Sequence, residues 1–383
     1  MVNIIVTLLM MRMLEMIDGL KMHLWILPAL LISSSAHSVE CNNHNGFICS
    51  DSNYQFSDNF INQDKYPSGG FGGGSCQANK TPVIFIHGNG DNAIGWALPP
   101  SATPESYPQA PFSVYESFKQ AGYNDCELFG VTYLSTKQRQ SPQLNYHDAS
   151  KQETIHQFID DVLAYTGQSK VNIVAHSLGV SMALSSLYKH QTWNKVERFI
   201  NIAGAIRGLQ SCLYTGYANT LAPTCGSQNL YDANTFGLYP DNGSFSPLWG
   251  QNAWTGNYYS RSMRNLPSKH PENRFYSLTA GLHDQIHCTT TSGRSTCSKG
   301  ALFTPETNVI SQLQLGAGTT ASALDFNFSD LSPYNLSGGD LDGVGHFNSK
   351  INSGAILVKM LTSDCKGTAC AVDYVSGPVI DAF

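Results

Sequence analysis

A serine hydroxyl becomes a nucleophile only when a base takes its proton. One serine in this chain sits where that chemistry could occur. Ser177 lies in Ala175-His176-Ser177-Leu178-Gly179, directly after the apolar run Val171–Ala175 and at the start of a helix-like stretch, Leu178–Lys189. A serine at a tight strand-to-helix turn is forced outward at the carboxyl edge of a sheet. The turn brings backbones so close that only small residues fit two before and two after it. Gly179 meets that need, and Ala175, standing where glycine is commoner, still fits. The competing reading is a helix-capping serine. The strand before and the helix after favour the nucleophile.

The base and the acid should follow the nucleophile in the order Ser, acid, His. His190, His270, His283, His287 and His346 all come later. His346 is preferred, because Gly343-Val344-Gly345-His346-Phe347 forms a glycine-rich loop ahead of the last helix candidate, Gly354–Leu361. His283 is the competitor, since it sits beside a candidate acid. The run Phe275–Ala280 leads through Gly281 and Leu282 into Asp284, which is therefore the expected acid, with Asp241, Asp340 and Asp342 as runners-up. Its role would be to orient the imidazole and stabilise its cation. An oxyanion hole needs two backbone amides. Those of Leu178 and of Asn89, in His87-Gly88-Asn89-Gly90-Asp91-Asn92, are the candidates. His87 and His176 read as site-lining residues. His283-Asp284-x-x-His287 is a weak metal-ligand set, and no phosphate-binding loop is present. No metal and no cofactor is expected.

These residues need a scaffold. Pro82–Ile86 is apolar on both faces, as a buried parallel strand must be. Cys126–Leu134 is a second strand candidate. Ser150 could cap a helix to about Tyr165, with Glu153 three residues on. Strands at Val171–Ala175, Arg198–Ala203 and Phe275–Ala280 alternate with helices, which predicts an α/β fold with a mainly parallel sheet. Residues 205–270 break the alternation and carry many aromatic rings. They read as a long insertion over one end of the sheet, at the active-site edge. Residues 39–80 read as a disulfide-tied loop region, and 285–345 as a polar, glycine-rich stretch.

The first 38 residues resemble an export signal. Lys21 precedes the apolar Leu24–Ile32, and Ala36 and Ser38 suit cleavage before Val39. The apolar run is too short for a membrane anchor. Residues 39–383 would then be a single secreted, extracellular catalytic domain. Ten cysteines suit an oxidising compartment, and Cys41/Cys49, Cys212/Cys225, Cys288/Cys297 and Cys365/Cys370 are close pairs, leaving Cys76/Cys126. The composition, 42% hydrophobic and 13% charged, excludes a disordered tail protein. A net charge of -6 argues against nucleic-acid binding.

Three segments carry a family resemblance. They are Thr81–Ala93, Ile173–Ser181 and Gly343–Phe347, with Tyr214–Asn219 in the aromatic insertion as a fourth. Together they resemble extracellular poly(3-hydroxybutyrate) depolymerases of the lipase-like type with an Ala-His-Ser-x-Gly box. The resemblance covers nearly all of the chain from about Cys41. It implies an α/β-hydrolase fold, a Ser177–Asp284–His346 triad and hydrolysis of short-chain polyester without a metal. A triacylglycerol lipase or short-chain esterase is the alternative. The chain ends soon after His346, so a monomeric catalytic domain is expected to adsorb to polyester unaided. The expected contacts are rings such as Tyr214, Tyr217, Trp249 and Trp254.

Overall fold

A computed structural model describes residues 56–98, 110–209, 212, 221–225, 237–238, 263–284, 286–287, 299–316, 345–372, 374–375 and 377–382. These form one eight-stranded sheet in the order β1-β3-β2-β4-β5-β6-β7-β8. The strands are β1 (Gly70–Phe71), β2 (Val83–Ile86), β3 (Leu128–Val131), β4 (Val171–His176), β5 (Val196–Ile202), β6 (Arg274–Thr279), β7 (Val309–Gln314) and β8 (Ile380–Asp381). The edge strands β1 and β8 run antiparallel to their neighbours, and all inner pairs are parallel. Chain order and spatial order differ at β2 and β3, so the nucleophile strand β4 lies beside β2 near the middle of the sheet. This mainly parallel sheet with flanking helices is the α/β-hydrolase architecture.

The inner strands form where they do because neither face can meet water. Every residue of β2 and β4 is buried. Each large aliphatic side chain buried there stabilises the fold by roughly 1.5–3 kcal/mol. The one polar intruder in the middle of β4, Asn172, is satisfied by accepting the Arg198 N–H at 3.2 Å. Helices α1 (Val114–Gln120), α2 (Thr136–Arg139), α3 (Ala149–Thr166), α4 (Leu178–His190), α5 (Asn348–Ile351) and α6 (Gly354–Thr362) flank the sheet. The apolar stripe Ile155, Phe158, Ile159 and Val162 of α3 joins one core with Val180, Ala183, Leu184 and Leu187 of α4.

Several boundaries move from their expected places. The cap of α3 is Asp148, not Ser150. Its Oδ1 accepts the N–H groups of Ser150 and Lys151 at 3.0 and 3.1 Å, and the Ser150 hydroxyl donates to the same oxygen. A carboxylate at a helix start accepts two amides and meets the positive end of the dipole, which a hydroxyl does less well. The second strand is only Leu128–Val131. Beyond Val131 the pairing with β1 continues only as the Thr132 N–H bond to Gly69 O at 2.9 Å.

Two stretches read as loop contain strands. β1 lies in the glycine-rich segment before Thr81, where Phe56 and Tyr66 pack against Phe158 and so attach that segment to the core. β7 lies in the polar stretch 285–345. Its Ser311 and Gln312 are buried yet bonded to the main chain of Gly367 and Phe303, so polarity there does not mean exposure. Disulfides join Cys76 to Cys126, Cys212 to Cys225 and Cys365 to Cys370. Cys41, Cys49, Cys288 and Cys297 lie outside the described residues. So do Tyr214, Tyr217, Trp249 and Trp254. Among the described residues, no helix is long and apolar enough to cross a membrane.

Candidate active site

Ser177 ends the turn between β4 and α4 with φ 54° and ψ −128°. A non-glycine residue held there stores about 1–3 kcal/mol of strain and persists only when its surroundings over-determine it. They do so here. Ser177 N–H donates to Ile202 O of the neighbouring β5 at 2.9 Å. Gly179 lets α4 press on the loop after β2: a Cβ at that position would fall 2.2 Å from His87 O. The close approach is why a small residue is required two positions after the serine. The side chains around Ser177 are buried, and Ser177 itself is partly exposed.

The structure brings Ser177, His346 and Asp284 into one hydrogen-bonded line. His346 Nε2 is 2.8 Å from Ser177 Oγ, and His346 Nδ1 is 3.0 Å from both Asp284 oxygens. With Nδ1–H donating to the carboxylate, Nε2 presents its lone pair to the serine hydroxyl. Asp284 is fully buried beyond the end of β6, where its Oδ1 accepts the N–H groups of Ile286 and His287 at 3.1 and 2.9 Å. Burial pushes its pKa up. The facing imidazoles of His287 and His346 and these amide bonds outweigh burial and hold the carboxyl well below the usual carboxylate range. Asp284 is therefore an anion.

The other histidines separate by environment. His87 is buried, and burial pushes its pKa down to about 4. Its Nδ1 donates to Gly88 O at 2.8 Å and its Nε2 accepts the Tyr133 N–H at 3.2 Å, so neither ring nitrogen is left for proton transfer. His176 is held neutral by burial, and its Nε2 donates to the main-chain carbonyl of His346 at 3.0 Å. His190, at the far end of α4, stacks on His156, and His270 stacks on Trp193. His283 is buried next to the acid, but the ring that reaches Ser177 is that of His346. Asp241, Asp340 and Asp342 lie outside the described residues.

From sequence, His287 was one of the later histidines and a weak metal-ligand candidate. Its ring lies 3.5 Å from the second Asp284 oxygen, and burial keeps it neutral. Ligand atoms of Asp284, His287 and His346 all lie within 4.8 Å of one another. A cation there would replace the His346–Asp284 hydrogen bonds, so metal binding and general-base chemistry exclude each other at this spot.

The two amides expected to form an oxyanion hole belong to Leu178 and Asn89. Leu178 is the first residue of α4, so its N–H is one of the four that a helix start leaves without an intrahelical acceptor. Asn89 follows β2 and is anchored by its side chain. Nδ2 donates to Pro142 O at 2.9 Å, and Oδ1 accepts from Asn145 at 2.7 Å. Thr224 donates to the same Pro142 oxygen, so the segments around 142–146 and 221–225 border this loop. Leu144, Tyr146 and Leu221 are exposed there, at 47%, 43% and 80%. Nothing in the sequence marks these three as surface residues, because their exposure depends on which loops meet.

The sequence profile of the class 2 lipases matches residues 80–314, which include Ser177 and Asp284. The chain belongs to the class 2 lipase family. Among solved structures, the chain is similar to Bacillus licheniformis lipase BlEst2 in its propeptide form, at 17% identity and a TM-score of 0.33, over 54% of this chain and 37% of that one. It is similar to Aspergillus fumigatus lipase B at 16% identity and a TM-score of 0.43, over 82% of this chain and 60% of that one. Phospholipase PlaB from Legionella pneumophila aligns at 15% identity and a TM-score of 0.32, over 57% of this chain and 43% of that one. These alignments span less than two thirds of each neighbour's length. No curated protein sequence matches the chain.

Proposed function

We propose that this member of the class 2 lipase family is a secreted serine hydrolase that cleaves ester bonds of poly(3-hydroxybutyrate) or a related short-chain polyester. The observation that carries its chemistry is the line Ser177–His346–Asp284, with hydrogen bonds of 2.8 and 3.0 Å. Ser177 Oγ attacks the ester carbonyl carbon as His346 Nε2 takes its proton, and buried ionised Asp284 stabilises the resulting imidazolium. The carbonyl oxygen becomes an oxyanion, held by the N–H groups of Leu178 and Asn89. Collapse expels the alkoxide, which recovers the proton from His346. Water then hydrolyses the acyl-serine by the same route.

The motifs around Thr81, Ser177 and His346 support the polyester reading. The three disulfides, together with the leader-like first 38 residues, support secretion. Exposed Leu144, Tyr146 and Leu221 offer apolar contact to a polymer that carries ester groups on a short apolar backbone. The second reading, a triacylglycerol or short-chain esterase, rests on the family match at residues 80–314. Incubation with amorphous and crystalline poly(3-hydroxybutyrate), and separately with tributyrin, decides between them. Soluble 3-hydroxybutyrate oligomers from wild type and none from Ser177→Ala support the polyester reading. Turnover of tributyrin alone would overturn it.

A further inference from the structure

We propose that the ion pair between Asp91 and Lys350 is a positioning device for the active site. The pair sets the distance between the loop that would hold the oxyanion and the helix that carries the base. The inference rests on the catalytic reading above and assigns roles to two residues which that reading does not use.

Asp91 lies two residues beyond Asn89, in the loop after β2. Lys350 lies one helical turn beyond His346, in α5. Lys350 Nζ is 2.6 Å from Asp91 Oδ2, and the lysine side chain is only 5% exposed. A lysine is almost never buried that far without a partner, and its three donors cannot be satisfied by an apolar wall. Its surroundings are built around the charge. Nζ sits 4.7 Å from the centroid of the fully buried Trp96 ring, within cation–π range. The other Asp91 oxygen accepts the Asn92 N–H at 2.8 Å. Burial pushes the Asp91 pKa up, but Lys350, His87 and the Asn92 amide together hold the carboxyl below its ordinary value. Gly95 completes the fit: a Cβ there would fall 2.5 Å from Asp91 Oδ1 and 2.6 Å from Lys350 Nζ.

The geometry explains why a bridge is needed. The His346 loop belongs to no strand. Its carbonyl is held by His176 Nε2 at 3.0 Å, from the end of β4, and by the nearby Ser349 hydroxyl at 2.8 Å. Neither contact ties the base to the loop of Asn89. The Asp91–Lys350 pair does so, across 259 residues of sequence. A looser bridge would let the imidazole and the oxyanion-binding amide drift apart. Such drift harms the transition state far more than the resting ester complex, so the loss should appear in kcat rather than KM.

The test compares wild type, Asp91→Asn, Lys350→Met, Lys350→Arg and the double variant Asp91→Asn/Lys350→Met on p-nitrophenyl butyrate. Competent sites are counted by titration with diethyl p-nitrophenyl phosphate, and Tm is recorded. Both single charge-removing variants should lose about 10- to 100-fold in kcat per titrated site, with KM changed less than about threefold. The double variant should lose no more than the worse single variant, because the two residues act as one unit. Lys350→Arg should recover most of kcat. If Lys350→Met does not fold, the nearly isosteric Asp91→Asn carries the test. Variants with a lowered Tm but wild-type kcat per site would show a purely structural pair and overturn the inference. A wild type that hydrolyses no ester would overturn the catalytic reading and this inference with it.

Discussion

Ser177 and His346 meet at 2.8 Å but are held in opposite ways. The nucleophile stands between a six-residue buried strand and a 13-residue helix, and regular backbone bonds fix its turn. The base precedes a helix of only four residues, and side chains fix it: His176 and Ser349 on its carbonyl, Asp284 on its ring. A nucleophile on a strand–helix turn is positioned by the fold itself. A base on a loop is positioned by partners that could each be exchanged without unfolding the sheet. Loss of function without loss of fold should therefore concentrate on the His346 side.

The largest effect tests the shared point of the two regions. Ser177→Ala should reduce ester hydrolysis by about 10⁴-fold or more while Tm stays near that of wild type, because the removed hydroxyl is partly exposed. A variant that retained a tenth of the activity would place the nucleophile elsewhere.

Acid should disturb both regions, since His87 follows the strand beside the nucleophile strand, and the rings of His176 and His287 lie against His346. All three are neutral in the fold, with pKa values lowered by burial. His87 takes up its proton near 4 when folded but near 6.5 when unfolded. As pH falls, the unfolded chain is protonated first, so stability held above about 6.5 is lost between there and 4. His87 alone accounts for on the order of 3 kcal/mol of this. Thermal melts from pH 7.5 to 4 should show the decline, and His87→Gln should flatten it. An unchanged Tm across that range would mean that these rings are charged or solvated.

Gly179→Ala probes the backbone-held side alone. The added methyl meets His87 O and forces α4 off the loop after β2, which should cost about 1–3 kcal/mol of stability and lower activity together with it. His176→Leu probes the side-chain-held side. It removes the donor to His346 O, so activity should fall roughly 10- to 30-fold, equivalent to about 1.5–2 kcal/mol. Tm should move little, since the lost ring also carries one buried nitrogen without a partner. If His176→Leu instead lowers Tm as much as Gly179→Ala and spares kcat, the contrast between the two regions collapses.

The same contrast explains what could be read in advance. The strands Val83–Ile86 and Val171–His176 were legible because a strand buried on both faces is mostly apolar. Ser177 was legible because the small residues at 175 and 179 are a local steric demand. β7 was not, since its buried Ser311 and Gln312 find their partners outside the strand, on the main chain of Gly367 and Phe303. Nor was the Asp148 cap, because Ser150 with Glu153 presents an equally good local pattern and only the helix's actual start distinguishes them.

The sequence by itself determined the alternating α/β architecture, the nucleophile turn and a short roster of acids and bases. Those depend on periodicity and near-neighbour sterics, which act over a few residues. Tertiary structure alone decided which histidine meets Ser177, that His87 and His176 are neutral, that His287 backs the acid, and that Lys350 is buried against Asp91. Each of these depends on a distance or a desolvation set by the packed fold, and local composition carries no measure of either.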